Sequence, residues 1–99
     1  MRRIEVEALP DEPLAAAETF HRHWLAPVED VLRKGEDMLI VVAAADRAHR
    51  EWRQAVVAGL ARKHAPRRVN MVAGAGSGVD ATETYLARAP GITGQYLEC

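Results

Sequence analysis

Asp46 and Arg50 stand four residues apart where a helical run begins, and a carboxylate and a guanidinium at that spacing share one helix face. The pair has two readings. In the first, Asp46 caps the helix and Arg50 closes an i,i+4 ion pair of about 0.2–0.5 kcal/mol. In the second, the helix starts at the carboxyl end of a parallel strand, and both groups line the place where open α/β sheets take ligands. A second group is the loop Gly74-Ala75-Gly76-Ser77-Gly78. Backbone amides at the head of a following helix can hold a phosphate, which makes Gly74, Gly76 and Gly78 the candidate cofactor-binding positions. Ser77 lacks the Gly-x-Ser-x-Gly elbow of a nucleophile, and no histidine is tied to it by spacing.

The remaining reactive side chains carry less. His21 and His23 are two apart, so on a helix they point away from each other and cannot share a metal. His49 and His64 have no Cys or carboxylate at ligand spacing, and surface or half-buried histidines are expected, with no metal site. Cys99 is the only cysteine, which excludes a disulfide within the chain and suits a reducing cytoplasm. It reads as an inert thiol.

These residues need a scaffold, and the hydropathy pattern supplies one. Arg3 to Leu9 alternates, with Ile4, Val6 and Ala8 against Arg3, Glu5 and Glu7, as in a half-buried strand with one wet face. Pro10 to Pro13 breaks it and opens a helix, with Asp11 as N-cap. That helix carries Leu14, Ala17, Phe20, Trp24, Leu25, Val28, Val31 and Leu32, is interrupted at Pro27, and ends at Gly35. Met38 to Ala45 is apolar throughout, as in a strand covered on both faces. Asp46 to Ala65 is the next helix, with Ala48, Trp52, Ala55, Val56, Gly59 and Leu60 inward and Arg47, Arg50, Arg53, Arg62 and Lys63 outward. Arg67 to Ala73 is a third strand, Asp80 to Ala89 a short helix, and Ile92 to Leu97 a last strand. The order β-α-β-α-β-α-β with right-handed crossovers gives an open parallel sheet of about four strands in chain order.

The chain has 99 residues and a net charge of −1, which reads as one domain over residues 1–99 without a basic field for nucleic acid or membrane. The N-terminal stretch lacks the apolar segment of a signal peptide, no run is long enough to span a membrane, and the expected location is cytoplasmic. Helices on one face of so small a sheet would leave apolar area open, so self-association is expected.

Three stretches carry a family resemblance. Leu60-Ala61-Arg62-Lys63-His64-Ala65-Pro66 followed by Arg68-Val69-Asn70-Met71-Val72-Ala73-Gly74 resembles the later half of the short-chain dehydrogenases/reductases, where a helix ends Leu-Ala-x-Glu-x-Ala-Pro and a strand reads Arg-Val-Asn-x-Val-x-Pro-Gly. Thr93-Gly94-Gln95-Tyr96-Leu97 is similar to that family's closing strand. Leu25-Ala26-Pro27 and Leu32 to Gly35, ahead of the apolar strand, resemble the elements that precede its active site. The resemblance implies a three-layer or half-Rossmann sheet, from the family's fourth strand to its seventh.

The departures matter as much. Where the family's Tyr-x-x-x-Lys pair should fall, this chain has Asp46 and Arg50, and the loop bearing the catalytic Ser is missing. Proton relay needs a phenol beside an ammonium, and an aspartate paired with arginine supplies neither. Val69 to Ala81 also resembles the family's first strand and its Thr-Gly-x-x-x-Gly-x-Gly cofactor turn, with Ala73 for Thr and Asp80 for the last Gly. A carboxylate there opposes a pyrophosphate, and no acidic ribose-binding residue follows at the expected distance.

Two functions therefore stand. One is a non-catalytic relative of short-chain dehydrogenases, without cofactor, acting as a homodimer or beside a full-length reductase. The resemblance implies pairing through the helices of residues 14–34 and 47–64, with Trp24, Val28, Trp52 and Val56 as interface anchors, tryptophan being enriched at interfaces. The other is a small α/β enzyme or binding protein holding a phosphate- or acyl-type ligand, or NAD(P), at the glycine loop.

Overall fold

The computed structural model describes residues 1–99. Four parallel strands lie in chain order: β1 (Arg2–Glu5), β2 (Met38–Val42), β3 (Val69–Ala73) and β4 (Tyr96–Glu98). Between them run α1 (Pro13–His23), α2 (Leu25–Arg33), α3 (Arg50–Lys63) and α4 (Ser77–Ala87), with a 3-10 turn over Arg47–His49 leading into α3. This is the open α/β sheet that the hydropathy pattern predicts.

β2 and β3 are buried along their whole length because their alternate residues serve two cores. Met38, Ile40 and Val42, with Val69, Met71 and Ala73, join Phe20, Val28, Leu32, Val57 and Leu60 from the helices on one side. Leu39, Val41 and Val72 point the other way, against Val79 and Leu86 of α4. The second face is thus not left bare as the size argument expects. α4 covers its middle, and Arg3 of β1 reaches across to Asp80 at 2.8 Å and Glu83 at 3.1 Å.

The face of each helix fixes the hand of its crossover. The chain always steps to the next strand in the same direction, yet α1 to α3 lie on one face and α4 on the other. The third crossover therefore has the opposite hand to the first two. With the usual right hand for those, β3-α4-β4 is left-handed, a form found in only about 2% of such units. This corrects the expectation of uniform right-handedness. The unfavoured path is clasped by side chains: Arg68 Nη1 donates to the Leu86 and Ala89 carbonyls at 3.0 Å each, and Thr93 Oγ1 accepts the Val69 N–H at 3.0 Å.

Several boundaries differ from the sequence expectation for local reasons. Glu12, not Asp11, caps α1, its two carboxylate oxygens taking the Leu14 and Ala15 amides at 2.9 Å, and those bonds hold its carboxyl below the usual range. The break ahead of Pro27 falls at Trp24, where α1 ends and α2 begins. α4 starts at Ser77, earlier than Asp80, because Gly76 takes φ +65° and turns the chain into it. The inner face of α3 is Arg53, Val56, Val57 and Leu60, while Ala48 and Ala55 are exposed.

Glu29 of α2 is nearly buried and fastens α2 to the end of α3, its Oε1 meeting Lys63 Nζ at 2.6 Å and His64 Nε2 at 2.7 Å. Lys63 first and His64 next hold its carboxyl below the ordinary value, against the opposing effect of burial. A depressed folded-state value means that ionised Glu29 stabilises the fold above the ordinary carboxylate pKa of about 4.3, and that this is lost as pH falls through the folded value. Glu29→Gln is expected to cost about 1–2 kcal/mol at neutral pH. Thermal melts from pH 7 to pH 3 should show the gap to the parent closing on the acid side, and a pH-independent gap would contradict this account.

Candidate functional site

Parallel strands present their carboxyl ends together, and here Glu5, Val42, Ala73 and Glu98 mark that rim. Asp46 lies just beyond β2, where its Oδ1 accepts the Ala48 N–H at 3.1 Å. Arg50 does not turn back to it. Its Nη2 instead meets Glu98 Oε1 at 2.8 Å, tying α3 to the end of β4. The cap of the sequence reading is present and the i,i+4 pair is not. The reason is the 3-10 turn, whose three residues per turn take positions four apart off a common face.

The glycine loop serves the chain itself. Cys99 folds alongside it, with its N–H donating to the Ala73 carbonyl at 3.1 Å and its Sγ–H to the same oxygen at 3.3 Å. Gly74 has φ +147°, and a Cβ there would run into Cys99 Sγ; one at Gly78 would stand 3.3 Å from it. Gly76 faces open space. The room that glycine leaves at Gly74 is filled by a thiol, and the first turn of α4 carries Asp80, whose carboxylate is turned to Arg3. These residues do not fit a dinucleotide pyrophosphate. Ser77, at the head of α4, is exposed.

Beside the loop, the carboxyl ends of β1 to β3 enclose a cleft of about 390 Å³. Glu5, Glu7 and Asp11 stand along one wall, Ala43 to Ala45 along the other, with His49 and Arg53 beneath. Ala8 bends the wall over the cleft at φ +61°, a conformation that costs an alanine about 1–2 kcal/mol. Arg53 is 3% exposed, not on the solvated face where the helical pattern places it. Its Nη1 donates to the Ala43 carbonyl at 3.0 Å and the Tyr96 hydroxyl at 3.1 Å, and its guanidinium lies 5.6 and 5.9 Å from the Trp52 and Tyr96 ring centres. Its Nε is buried without a partner. His49 is also buried, its Nδ1 receiving the Trp52 Nε1–H at 3.1 Å and its Nε2 facing the Asp11 carbonyl at 2.8 Å. Those two partners set the neutral tautomer with the proton on Nε2.

A family model described as short chain dehydrogenase-like protein matches residues 4–99. The chain belongs to that family. Comparison with curated proteins gives no match, and comparison with solved structures gives none.

In this short-chain dehydrogenase-like chain Asp46 caps the turn that follows β2, and Arg50 bridges to β4. Arg53, expected on the outward face, and His49, expected at or near the surface, are both buried beside the cleft. The available signal was Val57: Arg53 is four residues before it and so shares its inward face. The four residues expected at an interface divide. Val28 is fully enclosed and Val56 8% exposed, both within the core of their own chain. Trp24 and Trp52 are half-buried against that core, Trp52 with its ring 5.7 Å from Phe20. His21 lies exposed on α1 with Nδ1 2.7 Å from the Ala17 carbonyl, and His23 is exposed beside it, whereas His64 is drawn to Glu29. No three His, Cys, Asp or Glu side chains stand close enough to hold a metal, and no helix is long and apolar enough to cross a membrane.

Proposed function

We propose that this short-chain dehydrogenase-like chain is non-catalytic and works by association, as a homodimer or beside a full-length reductase. The observation that carries the first half is the fate of Asp46 and Arg50. One side chain caps a turn and the other is fastened to Glu98, so neither offers a proton to a substrate at the strand ends. The family's relay needs a phenol lowered by an ammonium, and Asp46 and Arg50 replace both.

Association is supported by the outer side of α2 and α3, where a groove of about 240 Å³ is lined by Leu25, Ala55, Val56, Gly59 and Leu60 together with the polar His21, Glu29 and Lys63. Small residues there let a second helix approach closely. Because Val28 and Val56 are largely spent inside, the docking contacts fall to Leu25, Ala55 and Gly59. Light scattering at micromolar concentration should give a dimer mass, and Ala55→Glu should give a monomer with the parent's circular dichroism. A monomeric parent that also fails to bind any full-length family member would sink the association reading. Oxidation of NADPH with carbonyl substrates should stay at the buffer rate; turnover would sink the non-catalytic one.

A further inference from the structure

We infer that the strand-end cleft is a binding site for a small amino-carboxylate, with Arg53 taking the carboxylate and the Glu7 and Asp11 wall taking the ammonium. This inference is independent of the association reading above, and its failure leaves that reading intact.

The starting point is an unusual cation. Arg53 is 97% removed from solvent, yet takes part in none of the chain's ion pairs. Buried arginine is ordinarily paired with a carboxylate, because desolvation of an unpaired charge is costly. Here both protein partners are neutral oxygens, both on Nη1, and Nε–H has none. The Trp52 and Tyr96 rings offset part of the charge and accept none of its N–H bonds. The guanidinium thus lies among the groups lining the cleft, with Nη1 taken by two bonds and Nε shut off from solvent, so that Nη2 is the donor left for a ligand. A charged N–H donor held in place suits a carboxylate oxygen.

The walls select among anions. Glu5, Glu7 and Asp11 all line the cleft, and only Glu5 has a cationic partner, Arg3 at 3.1 Å. The unpaired carboxylates of Glu7 and Asp11 oppose a phosphate or a dicarboxylate and favour a ligand that brings its own positive charge. A cleft of about 390 Å³ takes a molecule of that size, at the small end of ligand sites. His49 holds the wall in position through its bond to the Asp11 carbonyl.

The test is a titration of the ¹⁵N-labelled chain with 4-aminobutyrate, butyrate and inorganic phosphate at matched ionic strength, reading the Arg53 Nε–H resonance. A saturable downfield shift with 4-aminobutyrate is expected, about fivefold tighter than with butyrate, the scale of one exposed ion pair. Arg53→Lys should abolish saturation, and Ala44→Phe, an exposed position on the cleft wall, should do so with Arg53 intact. The second variant keeps the test decisive if Arg53→Lys does not fold. No saturable shift with 4-aminobutyrate, equal or tighter binding of butyrate or phosphate, or undiminished binding in Ala44→Phe would each overturn the inference.

Discussion

Asn70→Ala is expected to cost the fold about 2–4 kcal/mol, with β4 leaving the sheet before the rest of it melts. Asn70 is fully buried in β3 on the α4 side, and its amide holds two backbone groups of the return to β4. Nδ2 donates to the Ile92 carbonyl at 3.0 Å, and Oδ1 accepts the Gln95 N–H at 3.1 Å. Alanine strands both, and each buried backbone group left unpaired costs about 1–3 kcal/mol. The loop has further ties to β3, Gly94 N–H to the Val69 carbonyl at 2.7 Å and Met71 N–H to the Gln95 carbonyl at 2.9 Å. Those ties depend on where Asn70 sets residues 92–95. This crossover has the hand opposite to the first two, so the return to β3 rests on side-chain ties of this kind, those of Arg68 and Thr93 among them, and a three-residue strand holds few bonds of its own. Urea denaturation gives the stability change, and hydrogen exchange at Gly94 and Cys99 reports the local release. A loss below about 0.5 kcal/mol, the scale of an indifferent surface change, would show that the clasp is not what holds β4. Asn70→Asp separates the two bonds: it keeps the acceptor for Gln95 and sets a carboxylate against the Ile92 carbonyl, so it should be at least as damaging.

What the sequence disclosed and what it hid divide along the reach of the interactions. The apolar run Met38 to Ala45 and the alternating Ile4, Val6 and Ala8 are local patterns set by burial; they place the strands in order but run past their ends, β2 stopping at Val42 and β1 at Glu5. Asn70 was visible as a polar residue in a buried strand, a signal that some partner must exist. Its partners lie more than twenty residues on, and no periodicity names them. Arg50 shows the same limit from the other side, since four-residue spacing predicts a pair with Asp46 only if the intervening turn is α-helical. The real partner, Glu98, comes from β4. Arg53 was hidden for a third reason. Charge usually marks a solvated face, and only the rotation of α3 that turns Val57 inward places this arginine beneath the cleft. Tertiary context overrides the residue's own preference here, at the position where the binding site is proposed.

Gly74→Ala is expected to destabilise the chain by about 2–4 kcal/mol, and about 1 kcal/mol or more of that should vanish when Cys99 is also replaced. Two costs combine at this position. Gly74 sits at φ +147°, a backbone region that side chains rarely adopt, and holding alanine there costs about 1–3 kcal/mol. The new Cβ also runs into Cys99 Sγ, while its other neighbours, the Cys99 carbonyl oxygen and a Val79 methyl, stand at an ordinary 3.7 Å. Cys99→Ala removes only the offending sulfur, and as a change at an exposed residue it should alter stability by no more than about 0.5 kcal/mol alone. The double-mutant cycle isolates the contact: the Gly74→Ala penalty should fall by about 1 kcal/mol or more in the Cys99→Ala background, leaving the conformational strain. The cycle also distinguishes two meanings of the same glycine. If Gly74 is there to admit the chain's own β4 end, the penalty couples to Cys99 and appears in chemical denaturation without any added ligand. If the loop were instead a cradle for an external phosphate, the penalty would be indifferent to Cys99, and the parent alone would gain thermal stability from added nucleotide. Additive single and double substitutions, together with such a nucleotide-dependent gain, would reverse the assignment of the loop to internal packing.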